Sequence, residues 1–142
     1  TEDIHMTTGA DALNEATILA KKGRRVQLET VIGQDDAGKF IQAHCNDAGI
    51  MVRDACIKKD EKTGMNIVLV EQDGTRSFLT NPHGTLRSLK VEHIQMPFPE
   101  SAKIVCFASI FVFPKIGPDK LVQIFSQAKM QGENCLCGYD KA

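Results

Sequence analysis

Apolar and polar residues change their period several times along this chain, and each change marks an element. From Ala12 to Lys22, the residues Leu13, Ala16 and Ala20 fall on one helical stripe. Gly23 supplies a stop and Lys21 and Lys22 suit the negative end of a helix dipole, so the pattern predicts a helix over 12–22. Val26-Gln27-Leu28-Glu29-Thr30-Val31 then alternates with period two, which predicts a strand that Gly33 ends. Asp35 or Asp36 is placed to cap a second helix, whose Phe40, Ile41, Cys45 and Ala48 have helical spacing before Gly49.

After Ile50-Met51-Val52 the character changes. A run of mixed charge, Lys58-Lys59-Asp60-Glu61-Lys62, reads as a solvated loop. Two short β-rich runs, Met65 to Val70 and Arg76 to Leu79, flank Asp73-Gly74 and predict a hairpin with an apolar face that needs a cover. The last third predicts a strand at Ile104 to Ala108, then a helix from Pro118 to Met130 with Pro at its first position and Gly132 beyond its end. A final strand is predicted around Cys135. Residues 85–101 read as a connection with one helical turn. The periodicity therefore gives α/β units interrupted by a hairpin.

Composition narrows the class without changing that picture. With 142 residues, 42% hydrophobic and 25% charged, the chain has the make-up of one ordinary globular domain. Such a domain buries roughly two-thirds of the surface its unfolded chain exposes. A net charge of -1 gives no electrostatic footprint for nucleic acid or anionic lipid, and no apolar run reaches membrane length.

Five cysteines, Cys45, Cys56, Cys106, Cys135 and Cys137, include no C-x-x-C pair and read as reduced, buried thiols of a cytoplasmic protein. Cys135 and Cys137 would share one side of a strand but have no nearby His to complete a metal site. His5, His44 and His93 show no ligand spacing; His83, in Asn81-Pro82-His83-Gly84, reads as an exposed turn residue. Phe107, Phe111 and Phe113 read as core or lid-packing residues.

One segment carries chemistry. In Gly9-Ala10-Asp11-Ala12-Leu13-Asn14-Glu15-Ala16, a glycine precedes a helix start and two short polar side chains stand one turn apart. It resembles the Gly-Gly-x-Ala-x-Asn-x-Ala segment of ribokinase-like (PfkB-type) carbohydrate kinases. The order continues with Gly23, Gly33-Gln34-Asp35-Asp36-Ala37-Gly38, Ala48-Gly49-Ile50, Thr63-Gly64, Asp73-Gly74-Thr75-Arg76 and Ser109.

The resemblance implies an α/β ribokinase-like layered fold, with a mostly parallel sheet flanked by helices and a β-rich lid, present here in part. It divides the chain into 1–50 and 81–142 as parts of the α/β core and 51–80 as the lid. It implies ATP-dependent phosphorylation of a sugar hydroxyl by the complete enzyme, with ATP and Mg2+ as cofactors and a homodimer formed through the lid. Gly9, Ala10, Asp11 and Asn14 would line the sugar site. A nucleoside is the alternative substrate, and an inactive sugar-binding or oligomerisation module the alternative role. From the residues alone, Asp11 is equally a helix cap and Asn14 a surface residue.

Two departures matter. Ala10 stands where the family has its second glycine, which strains the backbone if that position needs a positive φ. The family's downstream Gly-Ala-Gly-Asp motif, an anion cradle plus general base, has no match after residue 100, and Gly138-Tyr139-Asp140 lacks the cradle. Asp140 is matched only to an acidic or amide position near magnesium and phosphate. The resemblance therefore leaves no catalytic residue on this chain, and the sequence reads as a fragment of a longer protein.

Overall fold

A computed structural model describes residues 3–137. Its first helix, α1, runs Asp11–Lys21, and Leu13 and Ala16 are buried on the face that the sequence marks. Two short strands follow where one was expected: β1 over Val26–Leu28 and β2 over Ile32–Gly33. The break has a physical cause in their partners. β1 pairs in parallel with β3 (Ile50–Val52), whereas β2 pairs in parallel with β4 (Ile57–Lys58), so the chain changes ladder between Leu28 and Ile32.

Helix α2 spans Asp36–Ala48 and is closed at both ends by the residues that predict it. The Asp35 carboxylate accepts from Gly38 N at 2.9 Å, and Gly49 takes the left-handed conformation at φ 72°. The hairpin is β5 (Asn66–Val70) against β6 (Arg76–Thr80), antiparallel in register Val68↔Phe78. All ten of its strand residues are exposed, and apolar side chains occupy both faces: Val68, Val70 and Phe78 on one, Ile67, Leu69 and Leu79 on the other. Both faces are thus uncovered and apolar, where the sequence predicts one.

Residues 85–101 hold two 3-10 turns, Thr85–Arg87 and Val91–His93. Strand β7 (Ile104–Phe107) then pairs in parallel with β8 (Asn134–Cys137) across helix α3 (Pro118–Met130), whose first position is proline. Three parallel pairs and one antiparallel hairpin realise the layered α/β fold.

Two hydrophobic clusters hold these elements. One joins Leu13, Ala16, Leu28, Cys45 and Ile50 between α1, α2 and the β1–β3 pair. The other joins Val31, Leu89, Phe98, Phe107, Ile116, Ile124 and Ala128 beneath α3. Phe107 meets Phe113 edge-on at 5.6 Å, as expected of core aromatics, but Phe111 is 82% exposed. It lies in the turn after β7, between Ile110 and Phe113, which do pack against the core. Likewise Cys45 and Cys56 are buried as expected, whereas Cys106 is exposed on the outward face of β7. Asp140 lies outside the described residues.

Candidate functional site

The start of α1 is built around a backbone that an L-residue rarely adopts. Ala10 is the N-cap, at φ 74° and ψ 144°, on the edge of a region reserved almost entirely for glycine. Its carbonyl accepts from Asn14 N at 3.0 Å, and no side chain caps the helix. Asp11 is therefore not the cap. Its carboxylate accepts a hydrogen bond from the Ser109 hydroxyl, which arrives from 98 residues away. Asn14, one turn along, is exposed, and a Cβ built on Gly9 would meet nothing within 4 Å.

Ser109 sits just beyond the carboxyl end of β7 and is itself left-handed, at φ 54°. Among the described residues, Ala10 and Ser109 are the non-glycine residues with positive φ, and one hydrogen bond separates them. Strain of this kind persists where surrounding structure enforces it, and it gathers at functional sites. The carboxyl end of a parallel strand is also where α/β proteins bind ligands. One turn further along α1, Glu15 accepts from the Cys106 thiol at 3.1 Å, a second contact between helix and strand.

The approach to Ala10 is tied down as well. Thr17 Oγ1 donates to Leu13 O at 2.7 Å, so it must accept from His44 Nε2 at 2.9 Å. That tautomer leaves His44 Nδ1 as the acceptor facing the Thr8 hydroxyl at 3.5 Å. His44 is thus a satisfied histidine between α1, α2 and the residue before Gly9. His83 is exposed in its turn, and His93 accepts from Lys90 N.

Two further networks set the frame. Asp35 accepts from Thr63 N at 2.9 Å, from the Thr63 hydroxyl at 2.5 Å and from Gly38 N; the Thr63 hydroxyl in turn accepts from Gly33 N at 3.0 Å. The hydroxyl bond leads these contacts in holding the Asp35 carboxyl below its ordinary range, against a desolvation that raises it. No space remains in this knot. A Cβ on Gly38 would lie 1.9 Å from Gly33 O, and one on Gly33 would lie 2.4 Å from Glu61 O. Directly beyond it, Asn81 Oδ1 accepts from Met65 N, Asn81 Nδ2 donates to Thr63 O, and Thr85 Oγ1 accepts from Gly64 N, so both ends of the hairpin are pinned to the core.

At the carboxyl ends of β1 and β3, Arg53 forms a two-pronged ion pair with Glu29 and also donates to His93 O at 2.8 Å. Burial raises the Glu29 carboxyl, but the bonds from Arg53, Gln27 and Gln95 outweigh it and leave it lowered.

The geometry therefore brings Ala10, Asp11 and Ser109 together, with Asn14 one turn away on the same helix. Ser109 escapes a sequence reading as a site residue because nothing local pairs it with Asp11. Among the described residues, no three His, Cys, Asp or Glu side chains are grouped to hold a metal, so they form no protein-only cage for the divalent ion the resemblance implies. No step through ATP or Mg2+ is assigned to residues 3–137. A shallow groove of about 420 Å3 along α3, lined by Ile110, Leu121, Val122 and Phe125 among others, is too apolar to orient a polyol.

The pfkB family of carbohydrate kinases, described as "pfkB family carbohydrate kinase", matches residues 1–141. Among solved structures, a PfkB protein from Polaromonas sp. JS666 is similar over 99% of this chain and 48% of its own length, with 21% identity and a TM-score of 0.80. A fructokinase from Xylella fastidiosa is similar over 94% of this chain and 43% of its own, with 22% identity and a TM-score of 0.75. The same fructokinase is also solved with bound ATP. An adenosine kinase from Sinorhizobium meliloti is similar over 89% of this chain and 38% of its own, with 20% identity and a TM-score of 0.73. The chain spans less than half the length of each of these structures.

Proposed function

The chain belongs to the pfkB carbohydrate kinase family, and on that premise we propose that it carries the sugar-binding region of an enzyme that transfers phosphate from ATP to a sugar hydroxyl. Gly9, Ala10, Asp11 and Asn14 are its sugar-binding residues in this reading. The observation that carries it is the placement of Asp11: not capping its own helix, but held by Ser109 beside a strained backbone at the carboxyl end of a parallel strand. A carboxylate accepts from sugar hydroxyls, and an amide such as Asn14 both donates and accepts, so together they can satisfy groups that lose water on binding.

The hairpin within 51–80 is the proposed lid. Its two apolar faces are too large for a surface left to water, which supports one face closing over bound sugar and the other meeting a second copy of the chain. Phosphoryl transfer rests on positioning and charge stabilisation. ATP and Mg2+ would supply the phosphoryl group and neutralise its charge. The sequence after residue 100 has no match to the family's anion cradle and base, so in this reading the 142-residue polypeptide alone is expected to turn over no sugar.

The complete gene product, assayed with ATP against D-fructose, D-ribose and adenosine, tests the reading. The names of two structural relatives motivate D-fructose and adenosine, and the ribokinase-like resemblance motivates D-ribose. Turnover of one of the two sugars near ordinary enzyme rates, on the order of 10 per second, supports it. Turnover of adenosine alone replaces the sugar with a nucleoside, and turnover of none of the three refutes a sugar kinase site.

A further inference from the structure

We propose that Ser109 is a positioning residue for the substrate, acting through Asp11; the inference rests on the sugar-site reading above. Three observations converge on it. The Ser109 hydroxyl donates to Asp11 Oδ2, and that donation uses its single proton. Its backbone is left-handed, which costs an L-residue energy that the sequence could have avoided with glycine. Ala10, on the other side of Asp11, has a positive φ too, at φ 74° and ψ 144°, so Asp11 is flanked by a second backbone that the fold forces into place.

A glycine at 109 would relieve the strain and forfeit the hydroxyl. The chain keeps the hydroxyl, and its one described partner is Asp11. With one carboxylate oxygen anchored, the other is aimed, and any ligand that meets this corner finds two acceptors side by side: Asp11 Oδ1 and the lone pairs of Ser109. Such a pair takes hydroxyl protons and repels acceptor-only groups. Without Ser109 the carboxylate regains rotamer freedom, which the ligand must then freeze for itself. The loss falls on binding of the polyol and not on ATP.

The test uses the complete gene product as wild type, Ser109→Ala and Ser109→Gly, each measured for thermal stability and for KM with D-fructose, D-ribose and ATP. Both variants lack the hydroxyl, so both are expected to raise the KM for the accepted sugar about tenfold or more, with the KM for ATP unchanged. Their stabilities should part company: Ser109→Gly relieves the left-handed strain and melts above Ser109→Ala.

A structural role gives a different pattern, with sugar KM normal in the more stable glycine variant and impaired only in the alanine one. That pattern overturns the proposal, as does an unchanged sugar KM in both variants or a parallel rise in the KM for ATP. If the wild type accepts neither sugar, the sugar-site reading itself falls and takes this inference with it, a result distinct from turnover that ignores Ser109.

Discussion

Replacing Ala10 by glycine should make this protein more stable, against the usual direction of that substitution. Ala10 is held at φ 74° and ψ 144°, where a Cβ crowds the backbone and the cost is about 1–3 kcal/mol. Glycine removes it. The opposing term is the greater freedom of glycine in the unfolded chain, worth about 0.4–1 kcal/mol. Little else changes, because Ala10 is exposed and its methyl group buries almost no surface. The net gain is about 1 kcal/mol. Urea denaturation of the complete gene product measures it directly: the midpoint should rise with an unchanged slope. A midpoint lowered by the equivalent of about 0.4–1 kcal/mol would show Ala10 in an ordinary conformation and remove the strain argument. The same variant restores the glycine of the related segment, so its sugar KM reports whether the methyl group narrows the site.

Three other outcomes follow from the packing and charge. Gly38→Ala places a Cβ 1.9 Å from Gly33 O, with backbone on one side and the buried Thr63 on the other, and should cost about 3 kcal/mol or more by chemical denaturation; a loss under about 1 would mean that α2 shifts freely. Asp35 has its folded pKa lowered, so its contribution is fully present above about pH 4 and fades as pH falls through the folded value; the stability gap between wild type and Asp35→Asn should close on acidification, and a gap constant from pH 7 to about pH 3 contradicts the assignment. If a second copy covers the hairpin, Val68→Glu and Leu79→Glu, which probe its two faces, should differ: one should lower the mass measured by light scattering and the other should not. An unchanged mass in both would separate the hairpin from assembly.

Elements governed by local chemistry are legible in this sequence. Helix α2 has its Asp cap and terminal glycine, α3 has proline at its first turn, and the hairpin has Asp73-Gly74, so each forms where its own residues direct. Where partners lie far along the chain, the reading fails. The run 26–31 alternates from Val26 to Glu29 and loses phase at Thr30, and the strand breaks because Ile32 and Gly33 find β4 while Val26 to Leu28 find β3. The candidate site divides in the same way. Gly9, Ala10, Asp11 and Asn14 stand out as a motif, but a helix cap and a carboxylate held by a distant element look alike until Ser109 is seen to hold Asp11. No periodicity carries a contact spanning 98 residues.

The two hydrophobic clusters carry a consequence for how the molecule opens. One belongs to α1, α2 and the β1–β3 pair; the other gathers β7, α3, β8 and residues 85–101 and draws in Val31 from the link between β1 and β2, and at the candidate site the contacts between them are polar: Asp11 with Ser109, Glu15 with Cys106. Polar seams release more cheaply than apolar cores, so amide hydrogen exchange should resolve two cooperative units with separate opening free energies. A ligand bound at Asp11 would stitch them together. Saturating the site should then slow exchange in Ile124 and Ala128, which lie within the second unit, as well as in Leu13 and Ala16 of the first.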